Sequence, residues 1–423
     1  MKFEKRTFKN GLRCIVAPMK DTEAVTLWAL FGTGSKYETK KINGISHFLE
    51  HLFFKGTKSR PKPGQIWREL DRIGAQKNAF TSKEYTGYYV KSSAKHFDIG
   101  LDIVSDILVE PLFKKEEVEK ERGVILQEIA MYEDNPQRQA YQLIEELMYG
   151  DQPAGWEVAG TPDIVKKITR DEILKYKESN YIAGNAVVAV AGNIDPEAAF
   201  AKTEKAFLHM PEGKKLNKIK VLERQKRPAI QFKKKDVDQT HLRLALRAYN
   251  MYDERRYALQ VLATILGGNM SSYLWREIRE KQGLAYYVGT SADEATDTGY
   301  LLATAGVSHA NFLKTVKKII EIFKHIKSNG VTERELDFAK EFIRGSMALA
   351  FETTDDVATF LASQELFYGK IMMPEDILSK IEKVRRSDIM KVVKDVFKRD
   401  KVNLAAITPE ENTADYDKIL NSL

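Results

Sequence analysis

Apolar positions fall in short runs broken by turn signals, a pattern that predicts strands interleaved with amphipathic helices. Near the start, Thr7-Phe8-Lys9 and Leu12-Arg13-Cys14-Ile15-Val16 flank Asn10-Gly11. That dipeptide accepts the positive φ angles of a tight turn, so the chain is expected to open with antiparallel strands. Ala24 to Phe31 predicts a further strand ending at Gly32, and a helix is expected around Ile45 to Phe54. The run Ala186 to Ala191 stops at Gly192-Asn193 and leads into a helix expected from Pro196.

The second half repeats the first at coarse grain. Thr86-Gly87-Tyr88-Tyr89-Val90 matches Thr298-Gly299-Tyr300-Leu301-Leu302, and each is followed by an amphipathic segment, containing Phe97 and Phe312 respectively. Glu117 to Ile129 likewise matches Glu335 to Met347. Two similar α+β domains follow, each read as an antiparallel sheet with helices packed on it. Between Glu212 and Arg227 lie seven basic and two acidic residues with few large apolar groups, the best candidate linker. The expected division is therefore residues 1–211, a linker at 212–227, and residues 228–423. A length of 423 residues suits two such domains.

Charge narrows the functional classes. With 67 basic and 60 acidic residues the net charge is +7 but mixed, which argues against a nucleic acid partner. No run approaches the roughly 20 apolar residues of a membrane span, and the polar start Met1-Lys2-Phe3-Glu4-Lys5-Arg6 lacks a signal-peptide core. A cytoplasmic protein with no membrane association is expected. The single cysteine, Cys14, has no disulfide partner and reads as a small core residue. Gly32-Thr33-Gly34-Ser35-Lys36 lacks phosphate-loop spacing and reads as a turn, and His96, His209, His241, His309 and His325 lack metal-type spacing.

The chemistry concentrates in Gly44 to Phe54. In a helix here, Ile45, Phe48, Leu49 and Leu52 form an apolar face, while His47 and His51, four apart, project together and can reach one ion. Zinc suits neutral imidazoles, and Glu50 beside the pair can take a proton from metal-bound water. Two histidines do not complete such a site. The segment Glu117 to Ile129 offers a third ligand, and Glu121 and Glu128, two helical turns apart on one face, both remain open from spacing alone. At offsets near 214, His47, Glu50 and His51 fall opposite Val261, Thr264 and Ile265, and Glu128 falls opposite Ser346. The metal-type residues thus belong to the first half only.

His47-Phe48-Leu49-Glu50-His51, followed by Leu52-Phe53-Phe54-Lys55-Gly56-Thr57, resembles the active site of the pitrilysin/insulinase family, the inverted-motif zinc peptidases, in its short processing-peptidase-like form. The resemblance implies Glu128, 77 residues beyond His51 in Glu121-Arg122-x-Val124-Ile125-x-x-Glu128, as the third ligand, and Glu121 as a carboxylate that orients a ligand. Gly74 to Thr86 resembles the strand beside the zinc helix, where Asn78, Ala79 and Phe80 would hold an extended substrate through their backbone. Arg279 and Tyr286 match a pair that assists substrate binding and the developing oxyanion. The resemblance therefore implies one Zn2+ per chain and an endopeptidase acting on peptides or unfolded segments, with Glu50 as general base. Larger members join two such halves in one chain, so a homodimer with composite active sites is expected. A non-catalytic partner subunit is the rival reading, weakened by the intact motif, and hydrolysis of a non-peptide ester or amide is a third.

Overall fold

The computed structural model describes all 423 residues, Met1–Leu423. Six strands form the first sheet: β1 (Glu4–Thr7), β2 (Arg13–Pro18), β3 (Ala24–Phe31), β4 (Gln76–Thr81), β5 (Thr86–Ser93) and β6 (Ala186–Gly192), in spatial order β1-β2-β6-β3-β5-β4. The first half also contains α1 (Ile45–Phe53), α2 (Gln65–Arg72), α3 (Phe97–Val109), α4 (Lys115–Glu133), α5 (Pro136–Tyr149), α6 (Pro162–Val165), α7 (Arg170–Asn180) and α8 (Pro196–Ala206). The second sheet comprises β7 (Ala229–Lys234), β8 (Thr240–Arg247), β9 (Ala285–Glu294), β10 (Gly299–Val307) and β11 (Val402–Thr408), ordered β7-β11-β8-β10-β9. Its half adds α9 (Arg256–Gly267), α10 (Phe312–Asn329), α11 (Glu333–Leu349), α12 (Thr354–Tyr368), α13 (Pro374–Glu382), α14 (Arg386–Val396) and α15 (Ala414–Asn421).

The fold is α+β, and the repeat is visible strand by strand. In each sheet a hairpin ends on a free edge, β5 with β4 and β10 with β9, and α3 and α10 begin at Phe97 and Phe312. The expectation of purely antiparallel sheets needs one correction, because each sheet holds one parallel pair, β2 with β6 and β7 with β11. A long helical connection returns the chain to its starting end before the last strand, which permits parallel pairing. The opening hairpin forms with Asn10-Gly11 in its turn, Gly11 at φ 89°, and β1 pairs with β2. No helix is long and apolar enough to cross a membrane.

The compact units are discontinuous in sequence. One comprises 1–130, 157–219 and 349–373, and the other 131–156, 220–348 and 374–423. Each sheet is therefore covered on one face by a helix from the opposite half of the sequence. In the first unit Val357, Ala358, Leu361, Ala362 and Leu366 of α12 pack on Ile15, Trp28, Leu30 and Ala189. In the second, Ala140, Leu143 and Ile144 of α5 pack on Ala245, Leu302 and Ala405. An amphipathic helix with the right apolar stripe serves equally well whichever end of the chain supplies it. The expected linker contains no helix or strand, and the unit boundary falls within it, between Ile219 and Lys220.

Candidate metal centre

With nine residues, α1 is too short for its own hydrogen bonds to sustain it in water. Packing and capping hold it. Ile45, Phe48, Leu49, Leu52 and Phe53 are fully buried on one face, each burial contributing roughly 1.5–3 kcal/mol. The first amides of the helix have no helical carbonyl to bond. Glu38 meets them from outside, accepting from Gly44 N and Ser46 N, both at 2.8 Å, and from the Asn43 side-chain amide at 2.9 Å. Burial raises the Glu38 carboxyl above the usual carboxylate range, against the pull of these donors. Gly44 itself, at φ 98°, brings the chain so close to Ala159 that a Cβ would lie 2.6 Å from its carbonyl oxygen.

The other face of α1 carries His47, Glu50 and His51, with the two imidazoles 4.7 Å apart between ring centres. On α4, Val118, Glu121, Ile125 and Ile129 point inward at helical spacing. This seats Glu128 beside the histidines. Its Oε1 lies 3.6 Å from His47 Nε2 and its Oε2 3.2 Å from His51 Nε2. Glu121 reaches the far side of one ring, Oε2 standing 3.3 Å from His51 Nδ1, while its Oε1 pairs with Lys55 at 2.7 Å. The geometry thus separates the two carboxylates that spacing left equivalent. Glu128 faces both imidazoles, and Glu121 backs one of them.

Ligating atoms of His47, His51 and Glu128 all lie within 4.8 Å of one another, the one such group of three in the chain. Two imidazole nitrogens and a carboxylate form a donor set suited to zinc. The histidines and carboxylates of the cluster also shift one another's protonation. Hydrogen bonds from both histidines hold the Glu128 carboxyl far below its usual range. Burial depresses His51, but its bonds to Glu121 and Glu128 outweigh that and raise it to about 9. A metal ion bound by these groups would take the place of the proton that His51 otherwise holds.

Of the remaining predicted residues, Asn78, Ala79 and Phe80 lie on β4, the free edge of the first sheet. Phe80 packs against the cluster that α12 helps form. The Ala79 amide bonds to Asn78 Oδ1 at 3.0 Å. Arg279 and Tyr286 belong to the second unit, where they come together: the Arg279 guanidinium sits 4.1 Å from the Trp275 ring centre and 5.5 Å from that of Tyr286. Arg279 lies in a π-helical stretch, Trp275–Glu280, and Tyr286 at the start of β9 is 73% exposed. Sequence reasoning missed Glu38, Lys55 and Thr81. The last was detectable, because alternation along β4 puts it on the same face as Ala79; Thr81 Oγ1 donates to Glu50 Oε2 at 2.7 Å. Among the other histidines, His241 bonds Tyr287, His309 bonds Thr240 and His325 bonds Asn329.

Residues 14–162 match the family model "Insulinase (Peptidase family M16)", and residues 167–343 match "Peptidase M16 inactive domain". A protein of Bacillus subtilis (strain 168) named "Uncharacterized zinc protease YmxG" is 34% identical over 407 residues, 96% of this chain and 98% of its own. The chain belongs to the M16 peptidase family. An M16 relative in Rickettsia felis, named an uncharacterized zinc protease, is 34% identical over 391 residues, 92% of this chain and 93% of its own. Among solved structures, a Helicobacter pylori protease superposes with a TM-score of 0.88 at 26% identity, covering 96% of this chain and 99% of that one. The M16 inactive domain structure from Pseudomonas fluorescens, at 20% identity and a TM-score of 0.90, shares the fold over 97% of this chain and 98% of its own. The half matched by the family's peptidase model is the half that carries His47, His51 and Glu128.

Proposed function

We propose that this chain is a zinc-dependent endopeptidase acting on peptides or unfolded segments. The observation that carries the reading is the convergence of His47, His51 and Glu128 on one point with Glu50 beside them. His47, His51 and Glu128 would hold one zinc ion per chain, and Glu121 would fix the orientation of His51. When bound, the ion supplies Lewis acidity toward the scissile carbonyl and the attacking water. Glu50 takes a proton from that water and delivers it to the leaving amine. An extended substrate adds to the edge of β4, where backbone groups of Asn78, Ala79 and Phe80 hold it and the Ala79 amide exchanges its Asn78 partner for a substrate carbonyl. Arg279 and Tyr286 donate to the developing oxyanion.

Metal analysis together with an unbiased peptide-library digest tests this reading. The wild type should bind one zinc and cleave peptides in preference to simple esters, and Glu50→Gln should keep the zinc and lose cleavage. A zinc-loaded wild type that cleaves no peptide would favour the non-catalytic subunit, and preferential ester turnover would favour the third reading. If Glu128→Ala binds zinc normally, the third ligand is misassigned and Glu121 is next to test. The chain is one half of the long family members in length yet carries both residue sets, so we further propose a two-fold homodimer in which one chain's zinc domain faces its partner's Arg/Tyr domain. Mixing Glu50→Gln with Tyr286→Phe under verified subunit exchange should then restore about a quarter of wild-type activity. No recovery sinks the shared site and leaves the zinc assignment standing.

A further inference from the structure

Strand β4 ends at Thr81, whose hydroxyl donates to Glu50 Oε2 at 2.7 Å and lies a longer 3.5 Å from the Ser46 carbonyl. A hydroxyl has one proton to give, and the short bond to a charged acceptor is the stronger by about twofold. The surrounding backbone leaves this hydroxyl little freedom. Just after Thr81 the chain turns, with Ser82 N bonded to Tyr85 O. That turn is clamped to the segment leading into α1, because Ser35 N bonds Ser82 O and Lys36 N bonds Lys83 O, at 3.2 and 2.8 Å. Gly34 passes so near that a Cβ would stand 2.2 Å from Ser82 O. Beneath lies a buried ion pair, Lys36 Nζ to Glu84 Oε1 at 2.9 Å, both side chains under 8% exposed. Two residues past Lys36, Glu38 caps α1. One short stretch, 34–38, therefore fastens both the end of β4 and the start of the helix that carries Glu50.

We propose that Thr81 is a positioning residue for Glu50, and that the edge strand on which substrate docks thereby sets the aim of the base. This rests on the reading of Glu50 as general base. A glutamate carboxylate turns easily about its last torsion, and only some orientations present a lone pair to a neighbouring water. A donor fixed on Oε2 sets the carboxylate plane and leaves Oε1 open to accept and release the proton. Because Thr81 lies on the strand that pairs with substrate, any shift of β4 moves the donor and the base together.

Thr81→Val keeps the shape and deletes the donor, and Thr81→Ser restores the donor. With a quenched peptide and the zinc-loaded protein, Thr81→Val should lower kcat about 10- to 100-fold with KM within about twofold, the scale of a misplaced catalytic group. Thr81→Ser should stay within about threefold of the wild type, since it keeps the hydroxyl. Both should retain one zinc per chain. A second readout needs neither metal nor turnover: in metal-free protein, the Tm losses of Thr81→Val and Glu50→Ala should be less than additive in the double variant. Wild-type kcat in Thr81→Val, failure of Ser to rescue, a loss of zinc, or additive Tm losses would each overturn the proposal. If the wild type cleaves no peptide, the endopeptidase reading falls and takes this proposal with it. If the wild type cleaves and Thr81→Val matches it, this proposal falls alone.

Discussion

In the first unit α1 follows β3 and precedes the edge hairpin β4–β5, and in the second α9 follows β8 and precedes β9–β10. The two helices hold the same topological place and are used differently. On α1 the face turned away from the core holds His47, Glu50 and His51, and His51 and Glu50 find partners in Glu121 and Thr81. On α9 the matching residues Val261, Thr264 and Ile265 are all buried, at 0%, 8% and 6% exposure, and Thr264 turns its hydroxyl back onto the Gln260 carbonyl. The accompanying helices diverge too. α4 buries Glu117, Val118, Glu121, Ile125 and Ile129, whereas α11 buries only Leu336 and Ala339 and puts exposed Ser346 where Glu128 stands. A scaffold can thus be kept while chemistry is written into one copy, with partners supplied to His51 and Glu50 and only the buried Nδ1 of His47 left without one.

Breaking that difference at its centre has the largest expected effect. Glu50→Gln should reduce peptide hydrolysis by roughly 10²–10⁴-fold, the usual weight of a general base, with zinc content unchanged. Loss of zinc from this variant would make Glu50 a ligand instead. Removing the partner behind His51 tests the supporting contacts: Glu121→Ala should weaken zinc affinity about 10- to 100-fold, measured by chelator competition. Unchanged affinity would reduce Glu121 to a buried partner of Lys55.

The comparison can also be sharpened from the other side. Val261→His writes the first histidine of the motif into α9, where the position is fully buried, and it should cost roughly 3 kcal/mol in urea unfolding without creating a metal site. A stable variant would show that α9 can accept a polar face. The smallest expected change concerns the cap. Glu38→Ala leaves the Gly44 and Ser46 amides without their acceptor and should cost about 1–2 kcal/mol, a range typical of caps. At the α9 N-terminus Asp253 Oδ1 accepts from one backbone amide, that of Arg255, at 2.9 Å, so the counterpart substitution Asp253→Ala removes one backbone bond where Glu38→Ala removes two.

Much of this was legible in the order of residues. The repeat could be read because each half uses the same strand and helix periodicities, and α3 and α10 start at the phenylalanines that marked them. His47, Glu50 and His51 could be read because four residues make about one helical turn, so local geometry alone brings the imidazoles together. Contacts across long separations were not written locally. Spacing left Glu121 and Glu128 equivalent, since two turns of α4 put both on one face, and only the packing of α4 against α1 decided that Glu128 faces both rings and Glu121 backs one. The exchange of α5 and α12 between the units escaped the sequence because an amphipathic stripe states that a helix covers a sheet and not which sheet it covers. The bond from Thr81 to Glu50 spans 31 residues and depends on the register of β4, which tertiary pairing alone determines. The sequence by itself determined which chemical groups are present and which neighbours share a helix face, through short-range periodicity. Only the tertiary structure decided which carboxylate meets both histidines and which hydroxyl holds the base, because those choices depend on distances between elements far apart in the chain.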